Sequence, residues 1–217
     1  MMFRKALVMA CMAAIAACVG AKPSTPALWR VSDVDNSLYL LGSFHALKPG
    51  DYPLSQTVMD AYADAELLVF EIAPEQLQSP DLETQMLQAA MLPANQSLQG
   101  MLPEKTWLSL LQWQKLNPDK PLASLQRLKP WYAALIIANT QSKSQGFEPE
   151  LGLDQHFMSQ AKSVRKPSIG LERMQQQIAL FNTMKPAAQL ELLQEALQDS
   201  GEPRNGELER LRLLWKA

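Results

Sequence analysis

Cysteine is almost absent from this sequence of 217 residues, and its two cysteines, Cys11 and Cys18, both lie near the beginning. The rest of the chain therefore has neither a disulfide bond nor a thiol nucleophile, which excludes cysteine-based catalysis. Histidine is equally scarce, since only His45 and His156 occur. Any site that requires an imidazole must use one of these two residues.

The motifs of several common enzyme classes are also missing. The sequence has no Gly-x-Ser-x-Gly elbow, no His-Glu-x-x-His helix and no glycine-rich phosphate loop. Neither a serine hydrolase nor a nucleotide-binding protein is therefore indicated. Without Arg4 and Lys5, which belong to the leader described next, 18 basic residues stand against 22 acidic ones, a net charge of −4. This balance predicts no nucleic-acid partner.

The longest apolar run lies at the beginning of the chain, over residues 6–17 after a short basic segment. This pattern is typical of a signal sequence, and the run is too short for a permanent membrane helix, which needs roughly 20 apolar residues. We expect residues 1–21 to be a signal peptide and the protein to be exported. The residues before Cys18 resemble a bacterial lipobox, so a lipoprotein and ordinary cleavage after Ala21 both remain open. Membrane contact is expected only through this signal peptide or a lipid anchor.

Four short segments have the apolar character of strands. They are residues 28–31, 37–41, 67–72 and 167–171. The turn-forming residues 33–36 join the first two, which predicts a hairpin. The run 67–72 is almost continuously apolar, as is usual for a buried strand of an α/β sheet.

Helical spacing accounts for most of the remaining chain. The predicted helices cover residues 55–65, 151–161, 172–181, 187–198 and 207–216, and an all-helical insert broken by prolines covers about 74–143. This order predicts one α/β domain over residues 22–217, helix-rich overall, with a small central β-sheet and a helical insert or cap. We expect Trp107, Trp113 and Trp131 to pack the insert against the sheet.

His45 and Glu71 are the first candidates for a functional site. His45 follows a predicted strand, at a position where α/β folds commonly bind ligands. Glu71 lies in an apolar strand, where an unpaired carboxylate would be costly. If the two strands are neighbours, the two side chains meet, and together they suit a divalent metal ion such as Mn, Co or Zn. The alternatives are a histidine bound to backbone and a glutamate that faces solvent.

Asp154 and Glu172 each follow a glycine by two residues, Gly152 and Gly170. Glu172 is expected to begin a helix, and Asp154 to be an N-cap or first-turn acid, since carboxylates are favoured near helix N-termini. Both residues also remain candidates for a catalytic carboxylate.

Four sequence blocks carry a resemblance to a known family. They are Leu40-Leu41-Gly42-Ser43-Phe44-His45, Leu68-Val69-Phe70-Glu71, Gly152-Leu153-Asp154-Gln155-His156-Phe157 and Lys166-Pro167-Ser168-Ile169-Gly170-Leu171-Glu172, with Trp29 before them and Gln177 behind. In wording, order and spacing these blocks resemble the TraB/GumN family. That family is similar to the TIKI-type metalloproteases and, more distantly, to the ChaN and erythromycin-esterase groups.

The resemblance implies an α/β fold with a metal-dependent hydrolytic site. Its parts would be a Gly-x-x-His motif, a strand-borne glutamate and a second Gly-x-x-His near the C-terminus. The first motif matches Gly42 and His45, and the glutamate matches Glu71. No histidine follows Glu172, so we expect either a C-terminally truncated chain, the favoured interpretation, or a divergent member. His156 is a weaker candidate for the missing ligand.

Two functions follow from these observations as hypotheses. The first is an exported, peptidase-like metal-dependent hydrolase in which His45 and Glu71 bind the metal ion. Glu172 or Asp154 would then act as the general base or orient a ligand. The activity of this hydrolase would depend on the second Gly-x-x-His motif. The sequence does not indicate which peptide or small molecule is the substrate. The alternative is a non-catalytic envelope protein that binds a peptide or a polysaccharide-related partner.

Overall fold

The structure is a computed structural model that describes residues 23–198 and 207–217. The predicted signal peptide, including Cys18, lies outside these residues, so export and lipid attachment remain predictions. Of the helices within the described ranges, none is both long enough and apolar enough to cross a bilayer.

Four strands of five residues each are present in the described part of the chain. They are β1 (Leu28–Ser32), β2 (Ser37–Leu41), β3 (Leu68–Ile72) and β4 (Ser168–Glu172). The predicted hairpin is confirmed, because β1 and β2 pair antiparallel with Trp29 opposite Leu40. Asp33 closes the turn, since its Oδ1 accepts the backbone N–H of Asn36 at 2.8 Å. Such a local bond from an aspartate side chain is typical of a tight turn.

The predicted α/β class is confirmed, but the described strands form two small sheets rather than one. β3 pairs in parallel with β4, from Leu68 opposite Ser168 to Ile72 opposite Glu172. Among the described strands β3 pairs with β4 alone, so it does not pair with β2. Side chains of both sheets nevertheless enter one apolar cluster, including Leu41 of β2 and Phe70 of β3.

Helices make up most of the described chain. They are α1 (Gln56–Asp64), α2 (Pro74–Leu77), α3 (Leu82–Ala90), α4 (Leu98–Met101), α5 (Glu104–Leu116), α6 (Leu122–Leu125), α7 (Pro130–Ser144), α8 (Leu153–Val164), α9 (Met174–Thr183), α10 (Pro186–Gln198) and α11 (Glu207–Lys216). Prolines stand at the starts of α2 and α7, where the missing N–H costs nothing. The long connection from β3 to β4 is thus built from α2 to α8.

A second apolar cluster lies among the helices and is centred on two tryptophans. Trp113 and Trp131 are 2% and 0% exposed, and the Trp131 ring stacks on Phe181 of α9 with centroids 5.0 Å apart. The expectation that these tryptophans pack the insert against the sheet is wrong, because the described members of this cluster include no strand residue. α10 instead returns to pack on α5 and α7, and its Leu193 is fully buried in the cluster.

Substitutions of Leu110 and Leu108, which both lie on α5, test the packing of this helical cluster. Leu110 is 0% exposed and Leu108 is 56% exposed. We expect Leu110→Ala to lower the free energy of unfolding by about 3 kcal/mol through lost burial and a residual cavity. Leu108→Ala should change it by no more than about 0.5 kcal/mol. Urea denaturation followed by circular dichroism measures both, and equal losses would contradict the assigned packing.

Candidate functional site

The candidate site centres on a hydrogen-bonded pair between the segment after β2 and the first turn of α8. His45 Nδ1 lies 2.7 Å from Asp154 Oδ2, and Ser43 Oγ donates to the same carboxylate oxygen at 2.7 Å. The His45 side chain is 76% exposed, whereas that of Asp154 is 27% exposed. The imidazole is therefore held through Nδ1 while its ring remains open to solvent.

Gly152 allows α8 to approach the histidine so closely. A Cβ atom at this position would lie 2.2 Å from the carbonyl oxygen of His45, so only glycine fits. The next residue, Leu153, donates its backbone N–H to the carbonyl of Phe44 at 3.0 Å. One residue further on, Asp154 reaches the imidazole. The spacing between Gly152 and Asp154 thus has a structural cause.

The His45–Asp154 pair alters the pKa of both groups. The hydrogen bond to Asp154 raises the pKa of His45, against the effect of desolvation, and the negative charges of Asp154 and Glu71 raise it further. Desolvation would raise the pKa of Asp154, but the bonds from His45 and Ser43 prevail and lower it. Its position in the first turn of α8 also favours a carboxylate. Asp154 is therefore an anion that holds the imidazole by Nδ1.

Glu71 lies near the end of β3 and is exposed. Its side chain therefore faces solvent, which is the alternative that the sequence left open. It is nevertheless held, because Gln177 Nε2 of α9 donates to Glu71 Oε1 at 2.6 Å. The negative charge of Glu71 makes the smallest of the contributions that raise the pKa of His45. The strand that carries Glu71 and the strand that leads to His45 belong to different sheets, so the condition under which the two side chains were expected to meet, neighbouring strands, is not fulfilled.

Glu172 reaches the same amide from the neighbouring strand. Its Oε2 lies 3.4 Å from Gln177 Nε2, so one amide group lies between the two glutamates. The expectation that Glu172 begins a helix is wrong, since it is the last residue of β4 and α9 begins at Met174. The parallel pairing with β3 continues to Glu172 and keeps it in the strand.

Gly170 allows a close backbone approach at β4, as Gly152 does at α8. A Cβ atom on Gly170 would lie 2.2 Å from the backbone nitrogen of Ala73. The chain leaving β3 thus crosses directly over β4, just after Glu71. Gly152 and Gly170, each two residues before a candidate acid, are therefore both points of close backbone approach.

The second histidine lies in a different environment. The ring of His156 of α8 packs at a tilt against that of Tyr52 with centroids 4.7 Å apart, and its Nε2 lies 2.9 Å from Gln160 Nε2. Burial lowers the pKa of His156 and raises that of Tyr52 to about 12. Both residues line a cavity of about 730 Å³ whose lining does not include His45, Glu71 or Asp154. The structure therefore does not bring His156 to the first histidine as a further ligand.

Metal binding by His45 and Glu71 stays a prediction. The hydrogen bond to Asp154 engages Nδ1 of His45 and leaves Nε2 without a bond to that carboxylate. Within residues 23–198 and 207–217, no group of three or more His, Cys, Asp or Glu side chains is placed to hold one ion. Sequence reasoning gave no role to Ser43 or Gln177, although both were part of the resemblance. Their only local signals were a hydroxyl two residues before His45 and an amide five residues after Glu172.

Comparison with known proteins supports the resemblance. The model of the TraB/PrgY/gumN family matches residues 27–217. The uncharacterised protein YbaP of Escherichia coli (strain K12) is 28% identical over 174 residues, which cover 78% of this chain and 62% of that protein. The uncharacterised protein YbaP of Shigella flexneri is 29% identical over 160 residues, which cover 73% and 56%. The chain thus spans about three fifths of the length of these relatives. No solved structure matches.

Gly152→Ala tests the close approach that brings Asp154 to His45. The added Cβ meets the His45 carbonyl, so we expect the free energy of unfolding to fall by about 3 kcal/mol. Gly50→Ala is the matched control, because a Cβ there meets no atom within 4 Å. Chemical denaturation measures both variants. A Gly152→Ala protein as stable as Gly50→Ala would contradict the packing of α8 on the histidine segment.

The two histidines should titrate on opposite sides of the ordinary imidazole pKa of about 6.5. His45 should titrate above it because of Asp154, and His156 below it because of burial. An NMR titration of the wild type and of Asp154→Asn measures both. The variant should move the His45 pKa toward the ordinary value and leave His156 unchanged; an unmoved His45 would contradict the pairing.

These shifts also predict how stability depends on pH. The raised pKa of His45 contributes to the free energy of unfolding. This contribution is fully present below about pH 6.5 and is lost as the pH rises through the folded-state pKa. The lowered pKa of His156 gives one that is present above about pH 6.5 and is lost as the pH falls through its folded-state value. The combined histidine contribution should therefore be greatest near pH 6.5, about the ordinary imidazole pKa.

Proposed function

The chain belongs to the TraB/PrgY/gumN family, and from that premise we propose that it is an exported, metal-dependent hydrolase. Its expected substrates are peptides or other compounds with an amide or ester bond. The observation that carries the proposal is the 2.7 Å hydrogen bond between His45 Nδ1 and Asp154 Oδ2. Metal-binding histidines commonly donate their second ring N–H to a carboxylate, which fixes the tautomer and the direction of the ring.

His45 and Glu71 are the proposed metal ligands. The hydrogen bond from His45 to Asp154 leaves Nε2 free for a metal ion, and the exposed ring allows access from solvent. Glu71 supplies a carboxylate whose orientation is fixed by the Gln177 amide. The nitrogen and oxygen donors suit Mn, Co or Zn. Such an ion would lower the pKa of its bound water and polarise a substrate carbonyl.

The number of donors limits the expected affinity. Hydrolytic zinc sites usually have three protein ligands, whereas His45 and Glu71 supply two. The resemblance implies a second Gly-x-x-His, and this sequence contains no such motif. We therefore expect this chain to bind a divalent metal ion more weakly than a complete site would.

The other two carboxylates take different proposed roles. Asp154 already accepts bonds from both His45 and Ser43, so it orients the imidazole rather than exchanging protons with substrate. Glu172 is exposed and lies at the longer distance of 3.4 Å from Gln177. It is the better candidate for a general base, since a base must have a free carboxylate oxygen within reach of water.

A metal-binding measurement tests the proposed ligands. We expect Co²⁺ to bind the wild type with absorption bands of a nitrogen- and oxygen-ligated ion. Binding should be lost in His45→Ala and Glu71→Ala, and weakened about 10- to 100-fold in Asp154→Asn, as for other residues that orient a ligand. His156→Ala is the control for the imidazole, and Glu75→Ala, an exposed glutamate just after β3, for the carboxylate.

Hydrolysis of fluorogenic peptides and esters is then followed with the metal-loaded protein. Activity should disappear with a chelator and return with added metal. Co²⁺ binding that survives both His45→Ala and Glu71→Ala would end the metal hypothesis. A peptide or polysaccharide ligand that binds without metal, and still binds His45→Ala, would favour the non-catalytic envelope protein instead.

A further inference from the structure

The segment that carries His45 is held from a second side by α11. We call residues 42–51 the His45 loop. Trp215 of α11 donates its indole N–H to the carbonyl of Gly42 at 2.8 Å. Its ring lies 6.1 Å, centroid to centroid, from that of Phe44. Trp215 thus contacts Gly42 and Phe44, which lie three residues and one residue before His45.

Charged side chains join α11 to the far end of the His45 loop. Asp51 is completely buried, and its Oδ1 lies 2.9 Å from Arg212 Nη1 and 3.3 Å from Lys216 Nζ. Lys48 of the loop forms a second ion pair, 2.8 Å long, with Glu209 of α11. A buried carboxylate is tolerated only when it is paired, so this network ties the loop strongly to the helix.

His45 lies between these two groups of contacts and on the side of the loop that meets α8. The N–H of Leu153 and the carboxylate of Asp154 hold that side. Loop residues on both sides of His45, Gly42 and Asp51, are bonded to α11. The loop is also held by backbone hydrogen bonds between Gly42 and Ala27 and between Leu47 and Glu148. Release from α11 would leave these bonds in place and would remove the contacts that Gly42, Phe44 and Asp51 make with the helix.

We propose that α11 is a positioning element of the site and that Trp215 is its main positioning residue. By contacting Gly42 and Phe44, Trp215 keeps His45 where its Nδ1–H can donate a hydrogen bond to Asp154 and leave Nε2 free. The expected use of the free Nε2, metal binding, rests on the proposed function. The effect of Trp215 on the His45 loop does not depend on it. Trp215 touches neither reacting atoms nor metal in this scheme.

The tautomer of neutral His45 reports this link directly. An ionised carboxylate only accepts hydrogen bonds, so a neutral imidazole bonded to Asp154 must carry its proton on Nδ1. A neutral histidine released into water favours the proton on Nε2. The two forms give different ¹⁵N shifts in the ring. His156 provides an internal reference, since the sequence contains only these two histidines.

Long-range ¹H–¹⁵N NMR at about pH 9, well above the ordinary imidazole pKa of about 6.5, is the test. The metal-free protein is used, so a failed metal hypothesis does not affect the result. We expect wild-type His45 to show the Nδ1–H form and Trp215→Ala to lose most of it. Asp154→Ala is the positive control. Leu214→Ala is the matched control on α11, since Leu214 is 64% exposed and should leave the tautomer unchanged.

Trp215→Phe decides the matter if Trp215→Ala does not fold. It keeps an aromatic ring beside Phe44 and loses only the N–H bond to Gly42, and the Nε2–H fraction of His45 should rise at least about twofold over wild type. A folded Trp215→Ala or Trp215→Phe protein with unchanged His156 shifts and a wild-type His45 tautomer would overturn the proposal. A changed tautomer in Leu214→Ala would overturn it as well.

Discussion

The hydrogen bond between His45 Nδ1 and Asp154 Oδ2 is the interaction on which the candidate site depends. It joins residues 109 positions apart in the chain and closes the distance between the end of β2 and the start of α8. Without Asp154 the exposed imidazole would rotate freely, and neither ring nitrogen would have a defined role. The bond fixes which nitrogen carries the proton and which faces outward. Ser43 also holds the carboxylate by donating to the same oxygen.

This bond can form only because backbone segments pass each other at very short range. Gly152 lets α8 touch the carbonyl of His45, and Gly170 lets β4 pass under the chain that leaves β3. Each glycine stands two residues before the acid that it brings into place. The same geometric solution therefore positions one carboxylate beside the imidazole and another beside Glu71. Side-chain chemistry at the site follows from backbone contact.

Sequence reasoning predicted the local elements well and their assembly less well. The four strands and most helices follow from apolar periodicity and turn residues, and the family follows from short blocks around His45, Glu71 and Asp154. The division into two sheets could not be read from the sequence, because strand pairing joins residues such as Phe70 and Gly170 that are distant in the chain. The tryptophans were assigned to the wrong neighbours for the same reason. Nothing local indicates that α10 returns to the helical insert.

The surroundings of the two carboxylates near His45 separate their roles. Asp154 is largely covered, accepts two hydrogen bonds at Oδ2 and has a lowered pKa, so that oxygen is engaged and the carboxylate stays charged. Glu71 is exposed and accepts one bond from an amide, which leaves one oxygen open to solvent. A group that orients a histidine must be immobile, whereas a group that binds an ion must have free lone pairs. The proposed function therefore gives orientation to Asp154 and ligation to Glu71, and the neutral amide that holds Glu71 adds no positive charge that would compete with a metal ion.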